Sequence, residues 1–199
     1  MHTGDPGKAP AVRGKYDREI WNGRTIIRYC PYYCEENIWH LCADEAEVGS
    51  IPAGDRRVVF ISNARRKVAV RRQTAGRGGA VVWDYHVVLV GGGKVWDPDT
   101  TLGFPVDFDL WIQESFFPLV PDHEPRFRVI DAATYRSRFE SDRSHMCDKK
   151  GSPLHPFPDW PRIGKGMNLM SFVDLEKPFV GEVADLESLA RLTAPRSPS

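Results

Sequence analysis

The chain has 199 residues, enough for one domain with a sizeable core and too few for two ordinary ones. Lysine plus arginine and aspartate plus glutamate number 27 each, so no net field draws the molecule to nucleic acid or an anionic membrane, and the expected partner is a small molecule or flexible peptide. No apolar run approaches the length of a membrane span, and Met1 to Pro10 carries glycine, proline and charge where a signal peptide needs an apolar core; the expected location is cytoplasmic, with the nucleus as second compartment.

Residues 1–16 and 194–199 are rich in Gly, Pro, Ser and basic residues and have little to bury, so both are expected to be unordered, leaving 17–193 as a single domain. From Cys34 the apolar residues Ile38, Leu41, Cys42 and Ala46 return at helical spacing, with Glu35, Glu36, Asp44, Glu45 and Glu47 on other faces. This predicts an amphipathic helix whose first turn holds Cys34. Two β-branched runs follow, Arg57 to Ser62 and Lys67 to Gln73, and read as strands of one antiparallel sheet, ahead of a glycine-rich break at Gly76 to Gly79.

Ala80 to Val90 and Lys94 to Asp97 flank Gly91-Gly92-Gly93 and read as a β-hairpin. A register centred on Gly91 and Gly92 sets His86 directly across from Asp97, with Cβ atoms about 5 Å apart and an imidazole–carboxylate hydrogen bond in reach. A three-residue loop would instead pair His86 with Trp96 or Pro98. Beyond the hairpin, Phe104 to Phe117 is aromatic and half-buried by expectation, and Phe127 to Ile130 is a short strand. Asp131 caps a helix through Ala132, Ala133, Tyr135 and Phe139. Ser152 to Pro161 is a proline-rich loop, and Asn168 to Leu175 and Asp185 to Leu192 are short terminal helices. The sum is an α+β single domain, an antiparallel sheet packed with helices.

Cys30, Cys34, Cys42 and Cys147 are expected as free thiols of a reducing compartment. Cys30, Cys34, His40 and Cys42 lack the paired Cys-x2-Cys knuckles of structural zinc, so no metal is expected there.

Cys34 at a helix start, His86 and Asp97 together supply a thiol nucleophile, a base and an acid that fixes the imidazole tautomer. A helix N-terminus favours the thiolate through its unpaired N–H groups and dipole, and the backbone N–H of Cys34 is a natural oxyanion donor. The order Cys, His, Asp, with the nucleophile opening a helix and its partners on strands, is a papain-like or transglutaminase-like arrangement. Each residue also has a plainer role. Cys34 could be a small buried hydrophobe, His86 a satisfied core histidine, and Asp97 a turn former before Pro98.

Tyr33-Cys34-Glu35-Glu36-Asn37-Ile38-Trp39 and Trp83-Asp84-Tyr85-His86-Val87-Val88-Leu89 resemble the protein N-terminal glutamine amidohydrolase family, which carries a WDYHV motif. Further matching segments are Val59-Phe60-Ile61-Ser62-Asn63, Phe127-Arg128-Val129-Ile130, Ser141-Asp142-Arg143-Ser144-His145-Met146 and Met167-Asn168-Leu169. The resemblance implies that 17–193 is a catalytic domain, with Cys34 as nucleophile, His86 as base and Asp97 as acid. Pro98 departs from the family pattern and keeps Asp99 as the alternate acid. The activity implied is hydrolysis of the side-chain amide of an N-terminal glutamine, giving glutamate and ammonia at an early step of the N-degron route to protein degradation. No metal or organic cofactor is required, and the substrate is a protein or peptide bearing that glutamine, acted on by a monomer.

Selecting an N-terminal glutamine requires a group that pairs with the α-ammonium. Glu35 and Asp84 are the expected carboxylates. Their plainer roles are complementing the helix dipole for Glu35 and a turn or edge hydrogen bond for Asp84. Arg143 reads as an ion-pair partner of a structural carboxylate, and His145 as the second choice of base if His86 is buried. Two other readings remain: a transglutaminase or cysteine protease using the same three residues, and a non-catalytic module that binds N-terminal residues.

Overall fold

A computed structural model describes residues 17–20 and 25–194, with burial and side chains described from residue 27 onward. The segments expected to be unordered lie outside that range, apart from Ala194. Strands β1 (Asp17–Ile20) and β2 (Thr25–Arg28) pair antiparallel and lead through a turn into helix α1 (Cys34–Leu41). The single helix expected from Cys34 through Ala46 is split in two. The N–H groups of Ala43 and Asp44 bond back three residues to His40 and Leu41 at 3.1 and 2.9 Å, a tightening that closes α1 before the one-turn α2 (Glu45–Val48).

Strands β3 (Arg57–Ser62), β4 (Val68–Val70), β5 (Val81–Trp83), β6 (His86–Gly91), β7 (Lys94–Trp96) and β8 (Val106–Asp107) precede α3 (Phe108–Phe116). Strand β9 (Arg126–Asp131), helices α4 (Ala132–Arg138) and α5 (Leu169–Val173), strand β10 (Glu182–Ala184) and helix α6 (Leu186–Thr193) follow. Six strands form one sheet in the order β10-β9-β3-β6-β7-β8, every pair antiparallel.

The two central strands, β3 and β6, are buried at every residue. Alternation sends Val58 and Phe60 of β3 and Val87 and Leu89 of β6 to a core shared with Ile38 and Leu41 of α1, Tyr135 of α4 and Phe172 of α5. Val59, Ile61, Val88 and Val90 face a second core with Trp111 and Phe116 of α3 and Leu189 of α6. Helices therefore cover both faces, which is why 58–61 and 87–90 are unbroken apolar runs rather than alternating. The expected single α+β domain, an antiparallel sheet packed with helices, is what the chain forms. Asp131 caps α4 as expected, its Oδ1 accepting from the Thr134 N–H at 3.0 Å.

Three expectations about the strands need correction. The runs at 57–62 and 67–73 do not share a sheet: β3 has both edges taken, by β6 and β9, so β4 pairs with β5 in a separate two-stranded ribbon. The run from Ala80 to Val90 is not one strand. It breaks at Asp84 and Tyr85, where the Ser62 hydroxyl donates to the Asp84 carbonyl at 2.6 Å and Asp84 Oδ1 accepts the Tyr85 N–H at 3.0 Å.

The hairpin turns on Gly92 and Gly93, not on Gly91 and Gly92, and pairs Gly91 with Lys94 and Leu89 with Trp96. Both turn glycines have positive φ, 56° and 73°, the backbone a tight two-residue hairpin loop demands. The observed register is displaced by two residues from the expected one, so His86 is not directly opposite Asp97. An even displacement leaves both on the same face.

Candidate active site

The segment Cys34-Glu35-Glu36-Asn37 opens α1, and each of its residues has a separate task. Cys34 is the first helical residue, half-buried, where the N–H groups of the first turn have no helical acceptor. Asn37 ties down the approach to the helix: its Oδ1 accepts the Cys30 N–H at 2.8 Å and its Nδ2 donates to the Cys30 carbonyl at 3.0 Å. Fully buried Glu36 accepts from Arg143 Nη2 at 2.8 Å, Trp160 Nε1 at 2.7 Å and the Ser141 hydroxyl at 3.0 Å. Arg143 is thus the ion-pair partner of a buried carboxylate, and it also donates to the carbonyls of Pro158 and Trp160. That clamp fixes the 141–146 segment against α1.

His86 Nε2 and Asp97 Oδ1 are 2.9 Å apart, and both side chains are almost wholly buried. The contact runs diagonally across the hairpin, with Asp97 just past the end of β7. Asp97 is held from every side: Gln73 Nε2 and Trp111 Nε1 donate to its Oδ2 at 3.0 and 3.2 Å, and the Asp99 N–H donates to its Oδ1 at 3.1 Å. Burial pushes the His86 imidazole down, but the charge and hydrogen bond of Asp97, with Asp99 adding, hold it above its ordinary value. Burial likewise works against ionisation of Asp97, and the bonds from His86, Gln73 and Trp111 outweigh it, keeping the carboxyl below its ordinary value.

Cys34, His86, Asp84, Tyr85, Trp83, Asp99 and His145 line one cleft of about 370 Å³, together with Tyr29, Tyr32 and Met170. The break after β5 is what delivers four consecutive residues, Trp83 to His86, to the same cavity; an unbroken strand would have turned alternate ones away. The Trp83 ring stacks on that of His86 with centroids 5.9 Å apart.

The expectation that the helix end lowers the Cys34 thiol is overturned. Burial raises it well above the ordinary thiol value, and Glu35, Asp99 and Asp84 raise it further, with only a backbone hydrogen bond at Val87 opposing. Burial comes first, and the neighbouring carboxylates act in the same direction.

Glu35 does not line the cleft. It is fully buried behind it, with Oε2 accepting from the Tyr85 hydroxyl at 3.0 Å and lying 3.7 Å from Cys34 Sγ, and Oε1 lying 3.3 Å from His145 Nε2. Asp84 is at the rim and exposed. Gln73, Trp111, Tyr85 and Tyr29 were not singled out from sequence, because nothing local to them marks contacts made across tens of residues. Atoms of His86, Asp97 and Asp99 lie within 4.8 Å of one another, but both Asp97 oxygens already accept hydrogen bonds, so a cation there would have to displace them. The Cys30, Cys34, His40 and Cys42 set does not form a metal-ligand cluster among the described residues. No described helix is long and apolar enough to cross a membrane.

Residues 29–193 match the family model described as N-terminal glutamine amidase. The chain is 38% identical over 187 residues to the protein N-terminal glutamine amidohydrolase of Bos taurus, covering 88% of this chain and 90% of that one. It is 41% identical over 170 residues to the Homo sapiens protein of the same name, covering 79% and 82%, and 41% identical over 151 residues to that of Drosophila pseudoobscura pseudoobscura, covering 71% and 74%.

Proposed function

Because the chain belongs to the N-terminal glutamine amidase family, we propose that it hydrolyses the side-chain amide of N-terminal glutamine in proteins and peptides, giving N-terminal glutamate and ammonia. The observation that carries this reading to residues is a half-buried thiol and a carboxylate-held imidazole opening into one cleft. We read Cys34, His86 and Asp97 as nucleophile, base and acid in a papain-like or transglutaminase-like arrangement.

In this mechanism His86 takes the Cys34 proton as sulfur attacks the carboxamide carbon. The resulting oxyanion is met by the Cys34 backbone N–H at the start of α1. Collapse breaks the C–N bond, His86 returns the proton to the leaving nitrogen, and ammonia departs from a thioester. Water, deprotonated by His86, then attacks the thioester and restores the thiol. The raised thiol and raised imidazole fit a resting thiol that ionises only as it reacts. No metal or organic cofactor enters the scheme. The α-ammonium is read by a carboxylate near the thiol, and of the two expected ones Asp84 stands at the rim and Glu35 behind Tyr85 and His145.

The product suits an early step of the N-degron route, in the cytoplasm or also the nucleus. The four cysteines, all unpaired, support a reducing compartment. The proposed active form is a monomer. The test is ammonia release from a peptide that begins with glutamine and from one carrying glutamine internally. Release from the first alone is expected; equal release would favour a general amidase or transglutaminase-like activity.

A further inference from the structure

On the amidase reading, the site tells an N-terminal glutamine from an internal one by its α-ammonium, and a cation drawn out of water needs an anion to meet it. Among the described residues no lysine or arginine lines the cleft, whereas two carboxylates, Asp84 and Asp99, do. Asp84 is exposed, and an ion pair in open water contributes little. Glu35, though close to the thiol, lies behind the wall, with its oxygens against Tyr85 and His145.

Asp99 is half-buried and its backbone is locked. Its N–H donates to Asp97 Oδ1 at 3.1 Å, and its carbonyl accepts from the Thr74 N–H at 2.7 Å and the Thr74 hydroxyl at 2.9 Å. The Tyr29 hydroxyl donates to its carboxylate and orients it. A carboxylate oxygen of Asp99 lies within 4.8 Å of the ligating atoms of His86 and Asp97, and its charge is felt at both Cys34 and His86. An extended glutamine separates its ammonium nitrogen from its carboxamide carbon by roughly 5 Å. A carboxamide held at Cys34 and His86 therefore brings the ammonium into the neighbourhood of Asp99.

We propose that Asp99, which the sequence offered only as an alternate acid, is the specificity-determining residue that receives the substrate's α-ammonium; the assignment rests on the amidase reading. Tyr29 and Thr74 are its positioning residues. Anchoring at Asp99 also excludes asparagine, whose carboxamide, one methylene shorter, falls short of Cys34 while its ammonium stays bound.

The test compares kcat/KM for a glutamine-initiated peptide and its N-acetylated form with wild type, Asp99→Asn and Asp84→Asn. Wild type is expected to prefer the free amine strongly. Asp99→Asn should shrink that preference roughly 10- to 100-fold, as loss of a charged hydrogen bond implies, mainly through KM. A urea unfolding midpoint for Asp99→Asn close to the wild-type value shows that the variant still folds. A fall in kcat on both substrates with the preference kept would make Asp99 a partner of His86 and overturn the proposal. So would collapse of the preference in Asp84→Asn alone, or its survival in both variants. If wild type releases no ammonia from either peptide, the amidase reading fails and the anchor with it.

Discussion

Cys34 opens a helix, where unpaired N–H groups favour an anion, and yet burial and three neighbouring carboxylates keep its proton on. His86 is set the other way, since Asp97 outweighs burial and holds the imidazole above its ordinary value of about 6.5. Asp97→Asn removes that charge and leaves burial opposed only by the weaker pull of Asp99. The acidic limb of kcat/KM against pH should then move to lower pH and the rate should drop about 10²- to 10⁴-fold, read from a pH–rate series. The same pair makes stability depend on pH. His86, raised on folding, contributes fully below its unfolded value and loses this as pH rises through the folded one; Asp97, lowered, contributes fully above its unfolded value and loses this as pH falls. The difference in unfolding midpoint between wild type and Asp97→Asn should be largest between about pH 4 and 6.5. Chemistry at this scale was legible because thiol, imidazole and carboxylate are distinctive residue types. The direction of the thiol shift was not, since it depends first on burial and then, beside neighbouring Glu35, on Asp99 and Asp84, which only folding brings near.

At the scale of elements, the start of α1 shows how a short motif can serve catalysis and architecture together. Cys34 faces the cleft, while Glu36 turns inward to Arg143, Ser141 and Trp160. Glu36→Ala would strand a buried guanidinium and should cost about 3–5 kcal/mol of unfolding free energy, measured by urea titration. The 141–146 segment, carrying His145 to the cleft, should loosen with it. Arg143 was legible as an ion-pair partner but its carboxylate was not, because 107 residues separate it from Glu36. The hairpin teaches a different lesson. Three consecutive glycines mark a turn without fixing its centre, and the positive φ of Gly92 and Gly93 decides the register. His86 and Asp97 meet because the displacement is even and Asp97 extends beyond its strand. The break at Asp84 was also hidden, since Val81, Val82 and Trp83 read as continuous strand until the Ser62 bond to the Asp84 carbonyl is seen.

For the whole molecule, helices on both sheet faces bury the two central strands and leave the cleft where α1 meets the start of β6. Apolar β-branched runs announced the strands, and a cap announced α4. Sheet order was not legible, because partner choice rests on edges already filled, as β4 shows by leaving for a ribbon with β5. Phe172 joins α5 to this frame, within 5.3 Å of Phe60 and 5.5 Å of Tyr135 between ring centroids. Phe172→Ala should cost about 3–5 kcal/mol in urea unfolding. The central claim is that one such frame presents Cys34 as the nucleophile toward an N-terminal glutamine. Its most direct test is an acid-quenched mass spectrum of the enzyme during turnover of a glutamine-initiated peptide. The account predicts an adduct equal to the peptide less ammonia on the fragment bearing Cys34, absent in Cys34→Ser and absent when the glutamine is internal. Such an adduct on Cys30, Cys42 or Cys147, or ammonia released by Cys34→Ser at the wild-type rate, would contradict it.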